Sequence, residues 1–202
     1  MDAILVGITG NSGCGQSTAA SFAGEFVRGV CSLDRVGHRL LSKTFVLQEL
    51  EDALERDDLR GMDQRELRAK LSGMVFDDPE MMKRLNMVLH PRMVEWARRS
   101  ARRLSSIDGI LVLEGALIFE LGLEDLFDTV IVVRDTLERC AGRLSRRDGI
   151  TVASAAQRWE NQMSIAEKVS RGDHVADNCG DLDYLRAQIV SIFTEIGNTP
   201  KR

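Results

Sequence analysis

Ile4-Leu5-Val6-Gly7-Ile8-Thr9-Gly10-Asn11-Ser12-Gly13-Cys14-Gly15-Gln16-Ser17-Thr18-Ala19-Ala20-Ser21-Phe22-Ala23 is the stretch from which the fold can be read. Its first part is a short apolar run with β-branched residues, which suits a buried parallel strand, and its last part suits a helix. Between them, Gly10 to Ser17 follow the spacing G-x-x-x-x-G-K-[ST] of a phosphate-binding loop at every position but one, because Gln16 stands where lysine is required. Glycine at positions 10, 13 and 15 lets the backbone take positive φ and approach phosphate oxygens, while successive N–H groups and the free amides of the following helix point at the anion. The cradle therefore comprises Gly10, Asn11, Ser12, Gly13, Cys14, Gly15, Gln16, Ser17 and Thr18, and Ser17 offers a hydroxyl to Mg²⁺. Gln16 can replace the hydrogen bond of a lysine but not its charge. A charge-assisted bond is worth about 1.5–3 kcal/mol, and a lost electrostatic contact in a dry transition state costs on the order of 10²–10³ in rate. The loop thus predicts nucleotide binding more firmly than it predicts turnover.

The 202 residues, 44% hydrophobic and 29% charged, allow one substantial α/β core with additions. A net charge of −4 provides no basic field for nucleic acid or for an anionic membrane, so neither is expected as a partner. Cys14, Cys31, Cys140 and Cys179 are widely spaced and form neither C-x-x-C nor a zinc pattern, which fits reduced thiols in the cytoplasm. Gly7, Thr9 and Gly10 interrupt the first apolar run too early for a signal or membrane-spanning segment.

Farther along, Gly29 to Asp34 reads as a second strand that ends on an acid, placing Asp34 at a carboxyl end where open α/β sheets bind ligands. From Phe45 to Arg103 the periodicity is helical, with no strand. Asp78-Pro79 marks a helix start and His90-Pro91 a break before a basic helix over Arg92 to Arg103. Gly109 to Glu114 and Asp128 to Val133 are nearly continuous apolar runs, as expected of central parallel strands buried on both faces. Thr136 to Arg171 is helical and arginine-rich, His174 to Asn178 is a last short strand, and Leu182 to Ile196 is a closing amphipathic helix before a tail, Gly197-Asn198-Thr199-Pro200.

The order of these motifs resembles the dephospho-coenzyme A kinase family. The resemblance rests on the loop, Leu33-Asp34-Arg35-Val36-Gly37-His38, the segment from Val75-Phe76 to His90-Pro91, Leu113-Glu114-Gly115-Ala116-Leu117-Ile118-Phe119-Glu120, and the stretch from Gln162 to Gly180. It implies an α/β, P-loop NTPase-type parallel sheet flanked by helices, with a helical substrate-binding insertion and a helical lid. The nucleotide core would be 1–44, 104–137 and 172–202, the insertion 45–103 and the lid 138–171. The implied activity is transfer of the γ-phosphoryl group of ATP, with Mg²⁺, to the ribose 3′-hydroxyl of dephospho-coenzyme A.

On the family's pattern Asp34 matches the second acid of an Asp-Ala-Asp motif and is the base that accepts the hydroxyl proton; the first acid is replaced by Ser32. Read from its residues alone, Asp34 could also cap a helix beginning at Val36. Arg143 and Arg147 fit the lid's arginine pair and, four apart on one helix face, can close over phosphate. Arg68 with Leu71, and Leu89-His90-Pro91, correspond to segments that shape the substrate pocket. Glu114 ends its strand where an acid can hold magnesium through water or cap a helix. Gln162, Lys168 and Asp173 fall on the pattern as supports. Gln16 and Ser32 keep a second class open, a non-catalytic binder of ATP or coenzyme A, and a third reading is a kinase of another small hydroxyl compound. The oligomeric state is left open.

Overall fold

The computed structural model describes residues 3–76 and 78–198, Phe76 through its backbone only. The tail positions Thr199 and Pro200 lie outside the described residues, as does the Phe76 side chain. The chain divides into two compact units, Met1–Leu33 with Ala97–Arg202, and Asp34–Trp96.

The first unit is built on five parallel strands, β1 (Ala3–Thr9), β2 (Val27–Ser32), β3 (Gly109–Glu114), β4 (Thr129–Arg134) and β5 (His174–Asp177), in the order β2-β3-β1-β4-β5. Alternation along the strands explains their unbroken apolar character. Ile4, Val6, Ile8, Ile110, Val112, Ile131 and Val133 join a core with Leu185, Ile189 and Phe193 of the last helix, α9 (Leu182–Asn198), and with Ala19 and Ala20 of α1 (Gln16–Phe22). Val130 and Val132 turn to the opposite face, against Phe119, Met163, Ile165 and Val169. Both faces are covered, so neither set of positions tolerates a polar side chain. Gly7 is required by close approach, since a Cβ there would lie 3.1 Å from the Phe127 ring.

The arginine-rich stretch resolves into α6 (Leu137–Asp148), α7 (Val152–Glu160) and α8 (Ile165–Arg171). Each begins on a hydroxyl cap: Thr136 accepts from the N–H of Arg139, Thr151 from that of Ser154 and Ser164 from that of Glu167. Gly149 ends α6 at φ 68°. Ala141, Leu144 and Ala155 form the small core between α6 and α7.

The second unit takes in α2 (Leu33–Leu40), from Asp34 onward, α3 (Thr44–Leu54), α4 (Gln64–Phe76) and most of α5 (Pro79–Leu104). Its core is Leu41, Val46, Leu50, Leu54, Leu59, Leu67, Leu71 and Val88. Glu51, nearly fully buried, accepts the N–H groups of Leu59 and Arg60 at 2.9 and 3.0 Å and pairs with the Arg60 guanidinium at 2.5 Å, tying the loop after α3 to its helix. The start at Asp78-Pro79 is as the sequence suggests: Asp78 accepts from Glu80 and Met81, both at 3.0 Å.

Two expectations are corrected. His90-Pro91 does not break the chain, because α5 runs continuously through Pro91. Proline removes the donor that would have met the Met87 carbonyl, and the Arg92 guanidinium adds a bond within the same turn by donating to the Val88 carbonyl at 2.6 Å. The second strand ends at Ser32, not on an acid; Asp34 is the second residue of α2, inside its first turn, and so is not the cap of a helix from Val36.

Candidate active site

The loop leaves β1 and enters α1, and its shape follows from where its carbonyl groups point. Gly10, Gly13 and Gly15 have φ of 151°, 83° and 104°, all in the region that side-chain-bearing residues avoid. A Cβ on Gly13 would also collide with the Cys140 carbonyl of α6. Five carbonyls of the turn, those of Gly10, Asn11, Gly13, Cys14 and Gly15, meet donors. The Gly13 oxygen accepts from Arg143 Nε at 2.8 Å, that of Cys14 from Asn178 Nδ2 at 2.8 Å and that of Gly15 from the Ala19 N–H at 2.9 Å. The Asn11 oxygen accepts from the Cys14 N–H at 2.9 Å and from Gln16 Nε2 at 3.0 Å. The Gly10 oxygen accepts from Gln16 Nε2 at 2.7 Å and from Lys168 Nζ at 3.4 Å. With the carbonyls held in this way, the amides of Gly15, Gln16 and Ser17 head α1 as the donors that a helix start leaves unpaired.

Gln16 itself turns back onto the loop. Its two amide hydrogens are both directed at loop carbonyls, so the side chain braces the turn and its hydrogen bonds are not offered to a ligand.

The turn is also tied to α7, α8 and the residues between them. Asn11, fully buried, donates to the carbonyls of Trp159 and Met163 at 3.2 and 3.1 Å, and Gln162 Oε1 accepts the Ser12 N–H at 2.8 Å. Lys168, with no exposed surface, also donates to the Ala116 carbonyl at 2.6 Å and pairs with Glu120 at 2.8 Å. Asp173 supports the sheet by accepting the Val130 N–H at 2.7 Å. Asn178 is a loop-holding residue that the sequence shows only as part of a turn, and Asp135, which takes Arg143 Nη2 at 2.8 Å and Arg139 Nε at 3.2 Å, gave no sequence signal.

At the mouth of the loop Ser17 donates to Glu114 Oε2 at 3.1 Å, and Glu114 is buried at the carboxyl end of β3. A hydroxyl and a buried carboxylate so placed are hard oxygen donors. Thr18 follows as the third residue of α1. Arg143 and Arg147 do not converge. Arg143 lies on the Gly13 carbonyl and Asp135, whereas Arg147 pairs with Asp148 at 2.7 Å and is mostly exposed. Burial opposes the charge of Asp148, but Arg147 and Arg158 outweigh it and hold the carboxyl below the usual range.

In the second unit Asp34 is exposed. Arg68 donates to the Gln64 carbonyl at 2.9 Å, with His38 Nδ1 at 3.5 Å. His90 lines a groove of about 540 Å³ with Pro79, Met82, Lys83, Met87 and Pro91. Among the described residues no helix is long and apolar enough to cross a membrane, and no three metal-ligating His, Cys, Asp or Glu side chains cluster.

The family model described as dephospho-CoA kinase matches residues 4–183. The dephospho-CoA kinase of Aquifex aeolicus (strain VF5) is 31% identical over 199 residues, covering 96% of this chain and 98% of that protein. The dephospho-CoA kinase of Brucella melitensis biotype 1 is 34% identical over 199 residues, covering 98% and 97%. Among solved structures, a Thermus thermophilus protein aligns with a TM-score of 0.74 at 29% identity, covering 97% of this chain and 99% of that one. A strand-loop-helix whose carbonyls are held by donors from α1, α6, α8 and the turn after β5, within a match that runs nearly end to end, places the chain in the dephospho-CoA kinase family of phosphotransferases.

Proposed function

We propose that this protein transfers the γ-phosphoryl group of ATP to the ribose 3′-hydroxyl of dephospho-coenzyme A, giving coenzyme A, in the cytoplasm. The observation that carries the reading is the single family match that takes in the loop, Asp34, Arg68, His90, Glu114 and both lid arginines. The loop amides bind the phosphates, and their fixed orientation means that little reorganisation accompanies charge development. Ser17 and Glu114, whose oxygens lie 3.1 Å apart, would hold Mg²⁺ as hard oxygen donors, and the ion would supply charge neutralisation for the nucleotide phosphates.

Asp34 accepts the proton of the attacking hydroxyl. Arg143 and Arg147 belong to a lid, 138–171, that adds positive charge over the transferring group in place of the missing lysine. Arg68 and the His90 groove belong to the insertion, 45–103, and bind the acceptor. The rest, 1–44 with 104–137 and 172–202, is the nucleotide core.

One observation favours the second reading, a nucleotide or coenzyme A binder without turnover: the Gln16 side chain is committed to loop carbonyls. Incubation with MgATP and dephospho-coenzyme A separates the two. Turnover by the parent chain that falls by about 10²–10⁴ in Asp34→Ala, with nucleotide affinity retained, supports the kinase. Tight ATP binding without product, and activity gained by Gln16→Lys, supports the binder. ATP consumed only with another hydroxyl acceptor overturns the proposed substrate.

A further inference from the structure

Cys14 and Cys140 are 126 residues apart in sequence, yet their sulfurs are 2.8 Å apart with both side chains fully buried. One lies in the phosphate loop and the other in the first turn of α6, so the contact joins the nucleotide cradle to the helix that carries Arg143 and Arg147. The separation is about 0.75 Å longer than a disulfide bond. Three further contacts cluster around the pair: the Cys14 carbonyl accepts from Asn178, the Gly13 carbonyl from Arg143 Nε, and Arg143 Nη2 lies 3.6 Å from the Cys140 sulfur. The loop and the helix are thus held in register on either side of the sulfurs.

We propose that Cys14 and Cys140 form a reversible disulfide that staples the phosphate loop to α6 and inhibits the enzyme. A peroxide is the oxidant, being small enough for a buried site. The Cys14 thiolate attacks one peroxide oxygen, giving a sulfenic acid and, after protonation, water. The Cys140 sulfur then displaces the sulfenic oxygen as a second water, so two thiols lose two electrons and two protons and the peroxide is reduced to water. Either sulfur can donate across the 2.8 Å contact; Cys14 is taken as the attacking sulfur because it sits in the loop, and its hydrogen bond with Cys140 draws its thiol below the usual value, against burial, while the same contact raises Cys140. Closing the gap pulls on a residue flanked by Gly13 and Gly15, whose amides face the phosphates. A shift of about 1 Å in such a group costs on the order of 10² in rate.

The test uses the full chain with Cys31→Ser and Cys179→Ser, so that only this pair can react. After hydrogen peroxide and its removal, mass spectrometry of a digest should show the peptides of Cys14 and Cys140 linked. ATP affinity and the rate with dephospho-coenzyme A should fall by about tenfold or more and return with dithiothreitol. Adding Cys140→Ala should abolish both the link and the reversible loss. Unlinked peptides, a linked protein with undiminished ATP affinity, or an equal reversible loss in Cys140→Ala would each overturn the proposal. Linkage and ATP affinity are read without any acceptor, so failure of the kinase assignment leaves the test intact.

Discussion

The phosphate loop and the helical unit Asp34–Trp96 are held together in opposite ways. Four of the side chains on the loop, Arg143, Gln162, Lys168 and Asn178, come from positions 130, 150, 158 and 164 residues away from their partners, and Lys168 and Asn178 are buried. The helical unit relies on an apolar core plus ion pairs and caps that lie closer in sequence and are mostly open to solvent: Arg56 with Asp58, Arg84 with Glu80 and with Glu55, Arg92 with Glu49 at 43 residues, and Asp63 with the N–H groups of Arg65 and Glu66, with Glu51 as a buried exception. Binding a triphosphate through amides requires a backbone that does not relax.

Four changes break or sharpen this contrast. The largest effect is expected from Lys168→Met, which strips Glu120 of its cation and frees two carbonyls. Removing one partner of a buried pair costs about 3–5 kcal/mol, or roughly 6–20 °C in melting temperature for a chain of this size. A thermal melt checks it, and adding Glu120→Gln should recover part of the loss. Asn178→Ala leaves the buried Cys14 carbonyl without its donor, a cost of about 1–3 kcal/mol. Its mark should be a raised KM for ATP with the acceptor KM unchanged, which steady-state kinetics resolves.

Acid should act on the helical unit. Arg56, followed by Lys70, holds Asp58 below its ordinary 3.8, and the N–H groups of Glu66 and Arg65 do the same for Asp63. In Glu51 burial opposes the charge, but the Arg60 and Leu59 N–H groups prevail and lower it. Carboxyls lowered in the folded state contribute stability that is present above their unfolded values and lost as pH falls through the folded ones. Denaturant unfolding of Trp159→Phe, with Trp96 as the reporter in this unit, should therefore show falling stability below about pH 4. Smallest of all, Arg147→Ala removes an exposed pair and should change stability by less than about 0.5 kcal/mol. A fall in kcat in the same variant would then report a role over phosphate and not a role in folding.

Much of the fold can be read from one dimension because its signals are local. The strand periods around Val6, Val112 and Ile131, the glycines at 10, 13 and 15, and the Asp78-Pro79 start each depend on neighbours in sequence. The misreadings have local causes too. Pro91 looks like a break because its missing donor is visible, whereas the burial of Val88 and Met93 on either side of it is not. Ser32-Leu33-Asp34 looks like a strand end because nothing in the run shows that Leu33 starts a helix.

The sequence by itself determined the parallel α/β class, the place of the phosphate loop and the family, since backbone conformation and residue spacing are written in contiguous residues. Only the tertiary structure decided that Gln16 braces the turn, that Lys168 and Asn178 hold carbonyls from across the fold, and that Cys14 meets Cys140. Those contacts bring together residues 52 to 164 positions apart, except for Gln16, whose direction onto the loop is set by side-chain geometry within a few ångströms.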